Sequence, residues 1–102
     1  MKNFNEKCYQ LLLKVPKGRV TTYKAIANAL GTNAYRAVGN AMNKNTNIPM
    51  IPCHRVVGSN GFLTGYALGL DKKIQLLNSE NVQVKNNKIL DFKDKLFSDF
   101  NI

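Results

Sequence analysis

The chain has 102 residues, with 15 Lys and Arg against 6 Asp and Glu, a formal charge of +9 and a pI near 9.8. Its length and 44% apolar content fit one modest core that leaves roughly 5,800 Å² exposed, and they exclude a large multidomain enzyme. No apolar run nears the ~18 residues of a membrane span, and the first fifteen residues lack a secretory or transit pattern. The expected location is therefore cytoplasmic, or nuclear in a eukaryote.

The charge is uneven. Residues 1–49 hold eight basic groups and one acid, net +7, while residues 50–102 hold seven and five, net +2. A basic half is the electrostatic footprint of a phosphate-backbone partner, although a solvated lysine-rich surface explains the same numbers. Two cysteines, Cys8 and Cys53, do not make a disulfide framework. With His54 they give three Cys or His ligands where a structural zinc site takes four, so no metal is expected.

In chain order, Phe4, Cys8, Leu11, Leu12 and Val15 recur at helical spacing and predict a helix over 3–15, with Cys8 as a small buried hydrophobe. Pro16-Lys17-Gly18 breaks it, and Arg19 to Thr21 reads as extended. Thr22 suits the N-cap of a helix from Tyr23 to Leu30, with Gly31 as its left-handed C′ residue. Thr32 or Asn33 can cap a second helix from Ala34 to about Asn43, thin because of Ala34, Ala37, Gly39 and Ala41, with Arg36 projecting from it. Two short helices about a glycine turn predict a helix-turn-helix. Residues 45–47 read as a polar loop, and the prolines in Ile48-Pro49-Met50-Ile51-Pro52 predict a stiff, extended, buried connector into Cys53-His54-Arg55. A turn at Gly58-Ser59-Asn60-Gly61 precedes a glycine-containing loop with Tyr66. Leu70 to Glu80 reads as a helix with Leu70, Ile74 and Leu77 on one face. Val82-Gln83-Val84 and Lys88-Ile89-Leu90 flank Asn86-Asn87 as a hairpin, and Asp91 is placed to cap a last amphipathic helix carrying Phe92, Leu96 and Phe100.

A cysteine becomes a nucleophile when a base or positive charge stabilises its thiolate. His54 and Arg55 adjoin Cys53, but neighbours on an extended chain point to opposite faces, so a sharp turn or a bridging group is required. Glu80 is a candidate to orient the imidazole.

The string Ile-Pro-Cys-His-Arg-Val-Val at 51–57 resembles the active-site signature of the O6-alkylguanine-DNA alkyltransferases. The likeness runs through Gly-Arg-Val-Thr-Thr-Tyr at 18–23, Arg-Ala-Val-Gly-Asn-Ala-Met at 36–42, Asn45, Gly65-Tyr66, Gly69-Leu70 and Leu-Leu-Asn-Ser-Glu at 76–80. It implies a mainly α, small helix-turn-helix, winged-helix-like domain with a short β-hairpin. Residues 1–102 then form a single DNA-binding and active-site domain without the family's additional N-terminal domain. It further implies a monomeric, cofactor-free suicide repair protein whose partner is duplex DNA carrying O6-alkylguanine. Cys53 resembles the alkyl acceptor, its sulfur held ionised, and His54 the base acting through water with Glu80 behind it. Asn45 resembles the residue tying the active-site loop to the turn after the first helix. Tyr23 resembles the residue that rotates the nucleotide, and Arg36 the finger that fills the vacated stack. Lys24, Thr32, Asn33 and Ser59 fall on the implied DNA face. Tyr66 resembles the donor to the leaving guanine, and Val56, Ala67 and Pro52 the pocket lining. Leu68 stands where many members carry a small residue, and the turn between the DNA-facing helices is about one residue shorter than in many of them. The alternative is a non-enzymatic alkyltransferase-like lesion binder, a class that usually replaces the cysteine this chain keeps. A transcriptional helix-turn-helix protein and a Cys-His hydrolase leave more of the motif unexplained.

Overall fold

The computed structural model describes residues 3–48, 50–66 and 68–100. Its elements, in chain order, are α1 (Phe4–Leu12), β1 (Thr21–Thr22), α2 (Tyr23–Ala29), α3 (Tyr35–Asn43), a 3-10 turn (Cys53–Arg55), β2 (Val56–Val57), α4 (Leu70–Ser79), β3 (Val84–Lys85), β4 (Lys88–Ile89) and the single-turn α5 (Phe92–Lys95). The chain is mainly helical with two small strand pairs. Among the described residues no helix is long and apolar enough to cross a membrane.

α1 starts where the Asn3 side chain accepts the Glu6 amide, satisfying one otherwise unpaired helix donor. It ends at Leu12, earlier than its periodicity predicts, because Lys14 and Val15 tighten onto the carbonyls of Leu11 and Leu12. Val15 is still buried, so the apolar spacing is right while the last turn is not α-helical. Thr22 caps α2 as expected, its hydroxyl accepting the Ala25 amide, and Gly31 has φ +73°. α3 departs from expectation. Neither Thr32 nor Asn33 caps it; Ala34 holds the cap position, and the Thr32 hydroxyl accepts the Ala34 amide in a local turn instead.

A parallel pairing not foreseen from sequence sets the centre of the fold. β1 lies beside β2, with Thr21 opposite Val56 and Thr22 opposite Val57. This pins the start of α2, and so Tyr23, to the chain leaving Cys53-His54-Arg55. Side chains alternate along β2, so its two valines serve different clusters. Val56 joins Leu12, Ile26, Val38, Ala41 and Cys53, while Val57 joins Val20, Leu63, Leu77, Val82 and Ile89. Leu12 and Ile26 are fully buried and contribute about 1.5–3 kcal/mol each in apolar transfer.

The connector before Cys53 is turned rather than extended. The Ile51 amide donates to Asn47 O at 2.8 Å, Met50 is 73% exposed, and only Pro52 of the pair of prolines lies among the described residues, where it is buried. The hairpin forms, its first strand starting two positions later than predicted and its second ending one earlier, with Val84 opposite Ile89 and Lys85 opposite Lys88. Asn86 and Asn87 take φ +52° and +64°, the doubly left-handed turn that matches strand twist.

The last predicted helix is corrected. Asp91 sits at φ +55° without a side-chain cap, α5 stops at Lys95, and the chain then runs extended beside Val20. Val20 N donates to Lys95 O and Phe97 N to Val20 O, while the Arg19 guanidinium holds the carbonyls of Lys95 and Leu96. This return carries Phe100 into the cluster beside α1, a burial that helical spacing mistakes for one face of a helix.

The hairpin also clamps the loop after β2. Leu63 N donates to Asn87 O, Ile89 N to Gly61 O, and a Cβ built at Gly61 would lie 2.8 Å from Phe92 Cγ at φ +85°. Gly61→Ala is therefore expected to cost roughly 2–4 kcal/mol, combining left-handed strain with overpacking. Gly31→Ala, at φ +73° with open space around its Cβ, should cost only the strain of about 1–2 kcal/mol. Urea unfolding of the two variants checks the difference.

Candidate active site

The 3-10 turn resolves the adjacency problem posed by Cys53 and His54. Arg55 N reaches Pro52 O at 3.0 Å, and the tightened backbone turns both side chains inward, leaving Cys53 5% and His54 1% exposed. Glu80, at the C-cap of α4, arrives from the other side, its Oε2 accepting from His54 Nε2 at 3.1 Å. That bond places the proton on Nε2. His54 Nδ1 is buried with no partner among the described residues, its lone pair free to take a proton.

Burial lowers the imidazole pKa below its usual value, against the upward pull of Glu80, so His54 is neutral at pH 7. Glu80 is held below the usual carboxylate range: burial would raise it, but the hydrogen bonds and charges of Arg55 and His54 outweigh that. The thiol contradicts one expectation. Burial pushes Cys53 above its ordinary value, and the nearby Asn45 amide and Lys73 charge only partly oppose this. The sulfur is therefore a neutral thiol at rest, needing a base at the moment of reaction, rather than a standing thiolate.

Two residues missed in the sequence complete the surroundings. Lys73 is fully buried, its Nζ donating to Val56 O at 2.8 Å and Thr64 O at 3.4 Å. Its signal was present: position 73 falls on the apolar stripe of Leu70, Ile74 and Leu77, where a charge is out of place. Thr64 shares a 2.5 Å hydrogen bond with the Tyr23 hydroxyl, which burial keeps from ionising.

Tyr66 packs edge-on to His54 with ring centroids 6.5 Å apart. Its hydroxyl is buried without a partner, and burial lifts its pKa to about 12, so it remains a donor. Asn45 donates to Ile51 O and accepts from Asn47 N. The first bond ties the segment leading to Cys53 to the turn after α3, in which Asn45 itself sits, and not to the turn after the first helix. Val56 is closed into the core and Pro52 is buried, while Ala67 lies outside the described residues.

The expected DNA-face residues divide between two surface features. Tyr23, Lys24 and Ser59 come together with Tyr35 around a cleft of about 240 Å³. Thr32 and Asn33 border a separate depression with Asn28 and Gly31 at the turn between α2 and α3. Arg36 is exposed on α3 in the turn that follows Tyr35.

A buried thiol thus shares one 3-10 turn with a neutral imidazole held by an ionised carboxylate, and the helix pair α2 and α3 carries Lys24 and Arg36 and no acid. Residues 3–82 match the family described as the DNA-binding domain of 6-O-methylguanine DNA methyltransferase, and the chain belongs to that family. It is 51% identical over 79 residues to a methylated-DNA–protein-cysteine methyltransferase of Methanosarcina barkeri, covering 76% of this chain and 50% of that one. Among solved structures it resembles Mycobacterium tuberculosis OGT in complex with DNA, at TM-score 0.75 and 38% identity over 79% of this chain and 50% of that one. It also resembles S. pombe Atl1 in complex with damaged DNA containing O6-carboxymethylguanine, at TM-score 0.82 and 26% identity over 95% of this chain and 98% of that one. The chain spans between about a third and a half of the length of the curated relatives it matches.

Proposed function

We propose that residues 1–102 act as one DNA-binding and active-site domain that repairs O6-alkylguanine in duplex DNA by a single irreversible transfer to Cys53. The observation that carries this reading is the buried pair of Glu80 and His54, whose Nδ1 has no partner among the described residues and which shares one 3-10 turn with the buried, protonated Cys53. In the reaction, Nδ1 takes the thiol proton through a bridging water, and the sulfur attacks the alkyl carbon. The S–C bond forms as the C–O6 bond breaks. The electron pair leaves on guanine O6, and the proton lost by sulfur ends on the departing base. Tyr66, an unsatisfied donor at the site, offsets the charge developing on guanine.

O6 of a stacked guanine is hidden from in-line attack, so the base is extruded at a cost of a few kcal/mol. Arg36 fills the gap, its planar guanidinium pairing with the orphaned cytosine. The small residues of α3 suit a minor groove about 6 Å wide, where degenerate information lets a scanner ignore sequence. α2 and α3 are read as the helix-turn-helix and β3–β4 as a short wing, with Tyr23, Lys24, Thr32, Asn33 and Ser59 along the DNA face. Arg36→Ala is expected to slow repair in duplex DNA about ten-fold while changing repair of a lesion in single-stranded DNA little, as rapid-quench transfer assays would register.

A second reading is favoured by one observation: the lesion-binding S. pombe Atl1 structure matches nearly end to end. Intact-mass measurement after incubation with a duplex holding one O6-methylguanine separates the two. A methyl-sized gain on Cys53 supports transfer. Tight lesion binding with no gain supports the binder.

A further inference from the structure

Arg55 takes no part in the reading above, yet its guanidinium makes three hydrogen bonds beside the site. Its Nε donates to Glu80 Oε1 at 2.9 Å and its Nη2 to Oε2 at 2.7 Å, a side-on fork that engages both carboxylate oxygens. Its Nη1 donates to Val15 O at 2.8 Å, the carbonyl just past α1. The guanidinium is thus anchored at both ends, and the plane of the Glu80 carboxylate is fixed by the last residue of the same 3-10 turn that carries Cys53 and His54. Oε2 is shared between Arg55 Nη2 and His54 Nε2.

We propose that Arg55 is a positioning residue for the transfer. Its fork sets one Glu80 oxygen against His54 Nε2, and its charge cancels enough of the carboxylate to keep the imidazole a neutral proton acceptor. The need for it follows from charge balance. A buried carboxylate facing an imidazole with no third partner raises the imidazole's affinity for a proton from solvent, and an imidazolium cannot accept the thiol proton. With Arg55 the three groups carry no net charge while His54 is neutral. The other titratable groups around His54 are Lys73 from α4, Cys53 from its own turn and Tyr66 from the loop after β2. Lys73 acts in the same direction as Arg55, but its Nζ is committed to the Val56 and Thr64 carbonyls and makes no bond to Glu80.

This inference rests on the proposed roles of Cys53, His54 and Glu80, and its test has a readout that needs no substrate. His54 is the chain's single histidine, so two-bond ¹H–¹⁵N spectra of labelled protein report its tautomer and titration directly. The wild type should show a neutral Nε2–H imidazole at pH 7. In Arg55→Met the proton uptake of the His54–Glu80 pair should move up by about one pH unit or more, and the acid limb of the alkyl-transfer rate should move with it. An Arg55 that only braces the fold would lower transfer by one factor at every pH and leave the His54 titration in place, and that result overturns the proposal. Arg55→Lys keeps a cation without the fork and guards against misfolding of the methionine variant. It should hold the midpoint within about half a pH unit but admit the Nδ1–H tautomer. A pure Nε2–H imidazole in Arg55→Lys overturns the orienting role. A wild type that shows the expected imidazole but never gains an alkyl group would sink the transfer reading, leaving the tautomer results to be judged separately.

Discussion

Cys53→Ser is expected to lose all measurable alkyl acceptance, a fall on the order of 10⁴-fold or more, as deletions of a nucleophile do. Lesion-duplex affinity should stay within roughly a factor of three, because the substitution leaves the Cys53 volume almost unchanged. The reasoning starts from the thiol at rest. Burial holds it protonated, so in the proposed transfer its reactivity depends on His54 removing the proton as the sulfur attacks. A serine hydroxyl in the same place gives up its proton far less readily, and the same imidazole cannot compensate. The Asn45 bonds that brace the segment before position 53 do not involve the sulfur, so the fold should tolerate the change. Intact-mass spectra report acceptance and fluorescence anisotropy reports binding. Retained acceptance would remove Cys53 from the reaction, and lost binding would mean that the sulfur belongs to the structure of the DNA face.

How much of this was legible beforehand varies by kind of signal. Local chemistry read through well. The Thr22 cap, the left-handed Gly31 and the Asn86-Asn87 hairpin turn are all set by residues within a few positions of one another. The resemblance at 51–57 and 76–80 named Cys53, His54 and Glu80, and the side chains of His54 and Glu80 do meet. What failed depended on distant chain. The parallel β1–β2 pair is two residues long and joins segments 35 positions apart, too short to leave an alternating pattern in either. Phe100 reads as a helical face because its spacing from Phe92 and Leu96 is right. Its burial instead comes from the extended return beside Val20, and pairing with that strand overrode local propensity. The extended connector was over-read from its prolines, since a proline limits its neighbours without preventing a turn such as that from Asn47 to Ile51. Lys73 was missed for another reason: a lysine is presumed exposed, and only its place in the apolar stripe argued otherwise.

That lysine carries the other large expectation. Lys73→Met should make the protein more stable at low pH relative to wild type, and the advantage should vanish in alkali. Burial holds the Lys73 ammonium down to about 8 from 10.5, with the nearby Cys53 pulling weakly the other way. Below about pH 8 the lysine is charged in both folded and unfolded chains, and the folded state bears the full cost of burying that charge. Between about 8 and 10.5 the folded protein has released the proton while the unfolded chain still holds it, so wild-type stability climbs relative to the variant. Above 10.5 both are neutral and the cost is gone. At about 1.4 kcal/mol per pH unit, the gap between the two proteins should narrow by about 3 kcal/mol across that window. The carbonyls of Val56 and Thr64 lose their donor in the variant at every pH, which shifts the gap by a constant and leaves its slope untouched. Cys8, lifted to about 11 by burial, titrates alike in both proteins and cancels from the comparison. Urea titrations at a series of pH values measure the gap, and a constant one would mean that Lys73 is not held as a strained cation. Alkyl transfer supplies the functional half. The charge draws the Cys53 thiol down toward ionisation, so the stabilised variant should react about ten-fold more slowly at neutral pH. A buried cation retained at a cost to folding, and lost at a cost to reactivity, is the signature expected of a group kept for the reaction rather than for the fold.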